Sequence, residues 1–179
     1  VKQVIYALQF RGRAVPADGA PDVIKIEASA PSSTIATGVG VGGDGVRGTV
    51  EPSRGGPPGS GRAVVEAEAR LTGEHAFHET GTITFGEGGH RLRFRSVDPG
   101  YIGPSAEPGL RHGAVVWRVD GGDGQFADAS GLITANFQVR DDGDLTVNQF
   151  GVLFVPDDGP ASGGRVAAGS AGSAAGATG

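Results

Sequence analysis

The stretch Gly113-Ala-Val-Val-Trp-Arg-Val-Asp-Gly-Gly-Asp-Gly-Gln-Phe-Ala-Asp-Ala-Ser-Gly-Leu-Ile-Thr-Ala-Asn-Phe-Gln-Val139 decides how the rest of the chain is read. Val115, Trp117 and Val119 alternate with Val116 and Arg118, and Ile133, Ala135, Phe137 and Val139 alternate with Leu132, Thr134, Asn136 and Gln138. A period of two is the mark of a strand with one buried face. Between the runs, Gly121-Gly122-Asp123-Gly124 supplies residues that accept positive φ at little cost, so the stretch predicts a hairpin. Phe126 and Ala129 give the connection two apolar feet to tuck under the sheet, which a flexible linker would not need.

The same alternation recurs upstream. Gln3 to Arg11 reads as a strand with Val4, Tyr6, Leu8 and Phe10 on one face, ended by a Pro/Ala/Asp/Gly loop. Asp22 to Ser29 and Ser33 to Val41 follow, separated at Ala30-Pro31 because proline lacks the donor a central ladder needs. Gly42-Gly43-Asp44-Gly45 then turns the chain into a short strand near Val46 to Val50. Glu51 to Gly61, rich in Pro, Gly and Ser, has nothing to bury and reads as a mobile surface loop. Arg62 to Leu71 places Val65, Ala67, Ala69 and Leu71 inward and Glu66, Glu68 and Arg70 outward.

Turn chemistry fixes two further registers. With Gly88-Gly89 as a two-residue turn between His78 to Gly86 and Arg91 to Val97, Phe85 faces Leu92, Ile83 faces Phe94 and Gly81 faces Ser96. The opposite face then carries Thr80, Thr82 and Thr84 against Arg91, Arg93 and Arg95. With Asp142-Gly143 as a type I′ turn, Phe137 faces Asn148, Ala135 faces Phe150 and Ile133 faces Val152. Asp98 to His112 is too proline-rich for a strand and long for a connection, so it reads as a loop of the kind that covers sites. From Pro156 the Gly/Ala/Ser-rich tail, residues 156–179, reads as disordered.

Eight to ten antiparallel strands are best satisfied by closing the sheet, because closure removes exposed edges. The expectation is an all-β, closed antiparallel barrel forming one domain over residues 1–155, with a two-sheet sandwich as the alternative. Composition agrees: 34 glycines in 179 residues and 6% aromatics fit many turns and short strands better than helices. A net charge of −5, with arginines scattered among carboxylates, offers no basic face for nucleic acid. No cysteine is present, which excludes disulfides and thiolate chemistry. The alternating Val-Lys-Gln-Val-Ile-Tyr-Ala-Leu-Gln-Phe start lacks a long apolar run and a cleavage site, so it reads as a strand of a cytoplasmic protein. No apolar run reaches membrane-spanning length, and no membrane partner is expected.

The pattern Gly121-Gly122-x-Gly124-x-Phe126-x-x-Ala129-x-Gly131, between two apolar strands, resembles the turn of the allene oxide cyclase and dirigent barrels and of small uncharacterised bacterial relatives. The motif covers about a sixth of the chain, and a compatible strand pattern extends over most of the rest. The resemblance implies a barrel that hosts cofactor-free cyclases or isomerases as well as non-catalytic members. The catalytic acidic, tyrosine and asparagine positions of those families have no motif match here, so none is carried over. Barrels of this kind commonly assemble through outer strand faces, which leaves a homodimer or homotrimer open.

Parity along the strands puts polar or amphipathic residues on the inner face at Tyr6, Glu79, His90, Ser96, Trp117 and Asn148. Glu79 is a candidate catalytic carboxylate whose pKa would rise in an apolar cavity, although a carboxylate at a strand end more often reaches water at the rim. His90 is the candidate base at the opposite end of its hairpin, too far from Glu79 for a direct acid–base pair; a solvated turn histidine is the plainer account. Tyr6, Trp117 and Asn148 read as packing residues with one satisfied polar tip, or as a cavity wall that orients an apolar ligand. Tyr101 and Arg111, with His112, lie in or beside the long loop and would form a lid, Arg111 holding an anionic group. His75 and His78 point to opposite faces of a strand and cannot chelate one ion together, so no metal and no cofactor are expected. The leading expectation is a barrel that binds an apolar, lipid- or polyketide-like small molecule and acts on it as a cofactor-free cyclase or isomerase. The competing one is a non-catalytic binding or interaction protein whose barrel is filled by Phe85, Leu92, Phe94, Phe137, Phe150 and Phe154.

Overall fold

The computed structural model describes residues 1–31, 35–42, 45–52, 62–87 and 89–157, with 35–42 and 45–52 as backbone only. Its strands are β1 (Lys2–Ala17), β2 (Ala20–Pro31), β3 (Ile35–Gly42), β4 (Gly45–Pro52), β5 (Arg62–Leu71), β6 (Ala76–Phe85), β7 (His90–Ser96), β8 (Gly100–Pro104), β9 (Leu110–Asp123), β10 (Ser130–Arg140) and β11 (Asp144–Val155). No α-helix occurs among the described residues, and no helix there is long and apolar enough to cross a membrane. Hydrogen bonds run β1-β2-β5-β6-β7-β9-β10-β11 and return from β11 to β1, all antiparallel. The result is a closed eight-stranded barrel, not a sandwich. β3 and β4, inserted between β2 and β5, pair with each other.

Alternation explains most of the wall. Along β5, Ala63, Val65, Ala67 and Ala69 are buried while Glu66, Glu68 and Arg70 are exposed. Along β9, Val115, Trp117 and Val119 are buried and face β10, where Ile133 pairs with Trp117 and Ala135 with Val115. The connection between them contains a single 3-10 turn, Gly124–Phe126, and both Phe126 and Ala129 are buried, as the two apolar feet required. β1 runs on through Pro16 instead of stopping near Arg11.

Both turn-derived registers need correction. The β6–β7 turn spans four residues, so Phe85 pairs with His90, Ile83 with Leu92 and Gly81 with Phe94. A shift of two positions keeps every side chain on its expected face, and threonines still oppose arginines outside. At the β10–β11 turn, Gly143 takes a positive φ of 89° and its N–H donates to Arg140 O at 2.9 Å, closing a three-residue loop. Phe137 therefore pairs with Val147, Ala135 with Gln149 and Ile133 with Gly151. This one-residue slip reverses β11: Leu145, Val147, Gln149 and Leu153 point inward, and Phe150, 50% exposed, and Phe154 point out. Phe85, Phe94 and Phe137 face the interior as expected. The reversed strand adds Phe150 to an outer wall on which Ile5 and Leu132 stand by the alternation of their own strands.

The segment expected to be a loop between Asp98 and His112 instead holds β8 and the start of β9. β8 pairs with β6 at Phe77–Gly100 and with β9 from Tyr101–Ala114 to Pro104–Arg111, so it continues the stave that β7 begins. The stave is broken at Val97-Asp98-Pro99, where proline cannot donate to a ladder. The loop expected over 51–61 and the tail expected from 156 fall, except at 51–52 and 156–157, outside the described residues.

Candidate functional site

The two halves of the barrel interior are filled differently. At the end that carries the 3-10 turn, Phe126 lies 5.4 Å from Phe85 and Phe85 lies 6.0 Å from Tyr6, centroid to centroid. Below them Phe94 stacks on Trp117 at 4.3 Å. The other half receives small inward side chains, Ala14, Ala28 and Ala69, and what they leave is a cavity of about 330 Å³. Phe77, Ile102 and Phe137 line its apolar walls, and Arg111, Arg140, Asp141 and Asp142 stand around its mouth.

Glu79 sits deep in this cavity, 4% exposed. Its place on β6 lies between the stretch bonded to β7, Thr80–Phe85, and the stretch bonded to β8, Ala76–Phe77. The break in the stave thus leaves the Glu79 backbone without a strand partner on that side. Ser96 supplies one: its Oγ accepts the Glu79 N–H at 2.7 Å and donates to Glu79 O at 3.2 Å. Trp117 Nε1 donates to Glu79 Oε2 at 3.2 Å. Burial pushes the carboxyl from an ordinary 4.5 up to about 8, and the Trp117 hydrogen bond pulls weakly the other way. At neutral pH, Glu79 is therefore predominantly a neutral acid inside an apolar wall.

Of the residues singled out in the sequence, Glu79, Trp117 and Arg111 meet in the cavity. Arg111 reaches it because β9 begins at Leu110, so Arg111 continues the inward series of Val115 and Trp117. Tyr6 faces inward behind the floor; its hydroxyl donates to Gln149 Oε1 at 3.3 Å, and burial raises the phenol above its ordinary range. His90 is at the plugged end, where its Nδ1 accepts the Gln125 N–H at 3.2 Å. Tyr101, 49% exposed, lies outside on β8 between His75 and His112, so it forms no lid. Asn148 also faces outward, accepting from Gln9 Nε2 at 3.0 Å, because of the β11 slip.

The same slip brings in Gln149, 2% exposed, in place of its neighbour Asn148. Ser96 stood on the inner face by parity but carried no sequence motif. Comparison of the chain with protein-family models, with curated proteins and with solved structures gives no match.

Proposed function

We propose that this barrel binds an apolar, lipid- or polyketide-like small molecule in its open half and promotes a cofactor-independent cyclisation or isomerisation of it. The observation that carries the reading is a buried, largely neutral carboxylic acid in the wall of a 330 Å³ apolar cavity. Burying a titratable group without an ionic partner works against stability, and such groups concentrate where proton chemistry is done. Trp117 occupies Oε2, so Oε1 is the oxygen that carries the proton toward the cavity. Glu79 donates that proton as negative charge develops on the ligand and takes it back when the product forms. The walls hold a flexible substrate in its reactive shape and keep water from the reacting atoms, which removes the ordering cost from the chemical step. The resemblance of the Gly121–Gly131 turn to those of the allene oxide cyclase and dirigent barrels adds to this reading.

The aromatic plug favours a second reading, a non-catalytic binding or interaction protein whose barrel is filled at that end by its own side chains. Native mass spectrometry of protein purified from its own cells separates the two. A retained apolar molecule, released on denaturation, supports the first. A bare chain whose Trp117 emission is also insensitive to saturating apolar probes supports the second.

A further inference from the structure

Two buried polar side chains face the cavity from opposite walls. β6 and β11 stand four staves apart in a ring of eight, so Glu79 and Gln149 approach from either side of the barrel axis. Gln149 Oε1 is taken by the Tyr6 hydroxyl. Its Nε2 is a buried donor that has no acceptor among the described residues. Native proteins seldom leave such a donor unmet, because its lost hydration is then uncompensated. Among the described residues, the charged side chains lining the cavity are Glu79 itself and the four at the mouth, so an anion reaching the floor would meet no cation from them there. What the floor offers is hydrogen-bond donors, Gln149 Nε2 and the acid proton of Glu79, in otherwise apolar surroundings.

We propose that the cavity takes a neutral molecule with a hydrocarbon body and one carbonyl oxygen, seated with that oxygen between Gln149 and Glu79 and the body toward the mouth. This rests on the reading of the cavity as a ligand site and adds to it the chemical class of the ligand and a second binding residue, Gln149. At roughly 30 Å³ per non-hydrogen atom, the share of a water molecule in the liquid, the volume admits on the order of ten such atoms. Each donor that meets the oxygen in a dry site strengthens binding relative to a hydrocarbon of the same shape, because the hydrocarbon leaves both donors unpaired.

The test is a titration of the intact protein with cyclodecanone, cyclodecane and decanoate, followed by the emission of Trp117, the one tryptophan of the chain. Cyclodecanone is expected to bind at least about tenfold more tightly than cyclodecane, and more tightly than decanoate. Gln149→Met is expected to narrow the ketone-to-hydrocarbon ratio several-fold, and Glu79→Leu serves as the second variant should the first not fold. Equal affinity for ketone and hydrocarbon overturns the inference while leaving the ligand-site reading standing. A ratio unchanged in a folded variant overturns the assignment of the oxygen to that residue. Absence of binding by all three probes overturns the ligand-site reading, and the inference with it.

Discussion

Glutamine in place of Glu79 should flatten the dependence of stability on pH. In the folded chain the carboxyl keeps its proton up to about pH 8, whereas in the unfolded chain it ionises near 4.5. Between those values the folded state binds more protons than the unfolded state, so stability falls as pH rises. It is greatest below 4.5 and levels off above about 8. The slope from this one group approaches about 1.4 kcal/mol per pH unit, and across the whole window the loss reaches roughly 4 to 5 kcal/mol. That is an upper bound, since relaxation of the surrounding wall lowers the cost of a buried ion. Even half of it is a large part of the ~5–15 kcal/mol that holds a domain together. Glutamine has nearly the same shape, never ionises, and keeps an oxygen for the Trp117 N–H. Urea unfolding followed by circular dichroism at pH 5, 7 and 9 gives the difference between Glu79→Gln and the parent. It should be within about 1 kcal/mol at pH 5 and favour the variant by several kcal/mol at pH 9. A difference that does not change with pH would mean that Glu79 is ionised and hydrated in the folded chain, and the reasoning would be refuted.

Three further outcomes follow from the packing. Phe94→Ala should cost about 3–5 kcal/mol, while Phe150→Ala, on the outer wall, should cost under about 1, and equal costs in thermal unfolding would contradict the β11 register. Gly81→Ala would press a methyl group to 2.6 Å from Ala67 Cβ and 2.8 Å from the Phe94 ring, so a loss of about 1–3 kcal/mol or more is expected in urea titration; a neutral result would mean that β5 and β6 do not approach so closely. Trp117→Phe removes the hydrogen bond that favours the ionised form, so carboxyl-carbon NMR should show Glu79 titrating above about 8, and a downward move would break the assigned contact.

The barrel was legible because alternation is local. β5, β9 and β10 each declare an inner face by themselves, and the turn with Phe126 and Ala129 declares which way it folds. β11 does not. Leu145, Val147, Leu153 and Val155 make one apolar face, Phe150, Val152 and Phe154 another, so only the turn could decide between them. Asp142-Gly143 supports a two-residue turn and a three-residue loop almost equally well as sequence, and the difference of one residue exchanged Asn148 for Gln149 inside the barrel. The β6–β7 error was harmless by the same rule, since a slip of two preserves parity. Glu79 stood out as a charge on an inner face, but its burial depends on the broken stave and on Ser96, contacts between residues seventeen positions apart that no periodicity encodes. The cavity is a matter of summed volume, set by which half of the barrel receives alanines and which receives aromatic rings.

Glu79 keeps its proton at neutral pH inside a hollow barrel, and the chain carries its own reporter. Trp117, the sole tryptophan, donates its N–H to that carboxyl, so its emission should change as Glu79 ionises. A pH titration of Trp117 fluorescence in the folded protein is expected to show one transition centred near 8 that is missing from Glu79→Gln. A transition centred near 4.5, or a curve that Glu79→Gln leaves unaltered, would contradict the account.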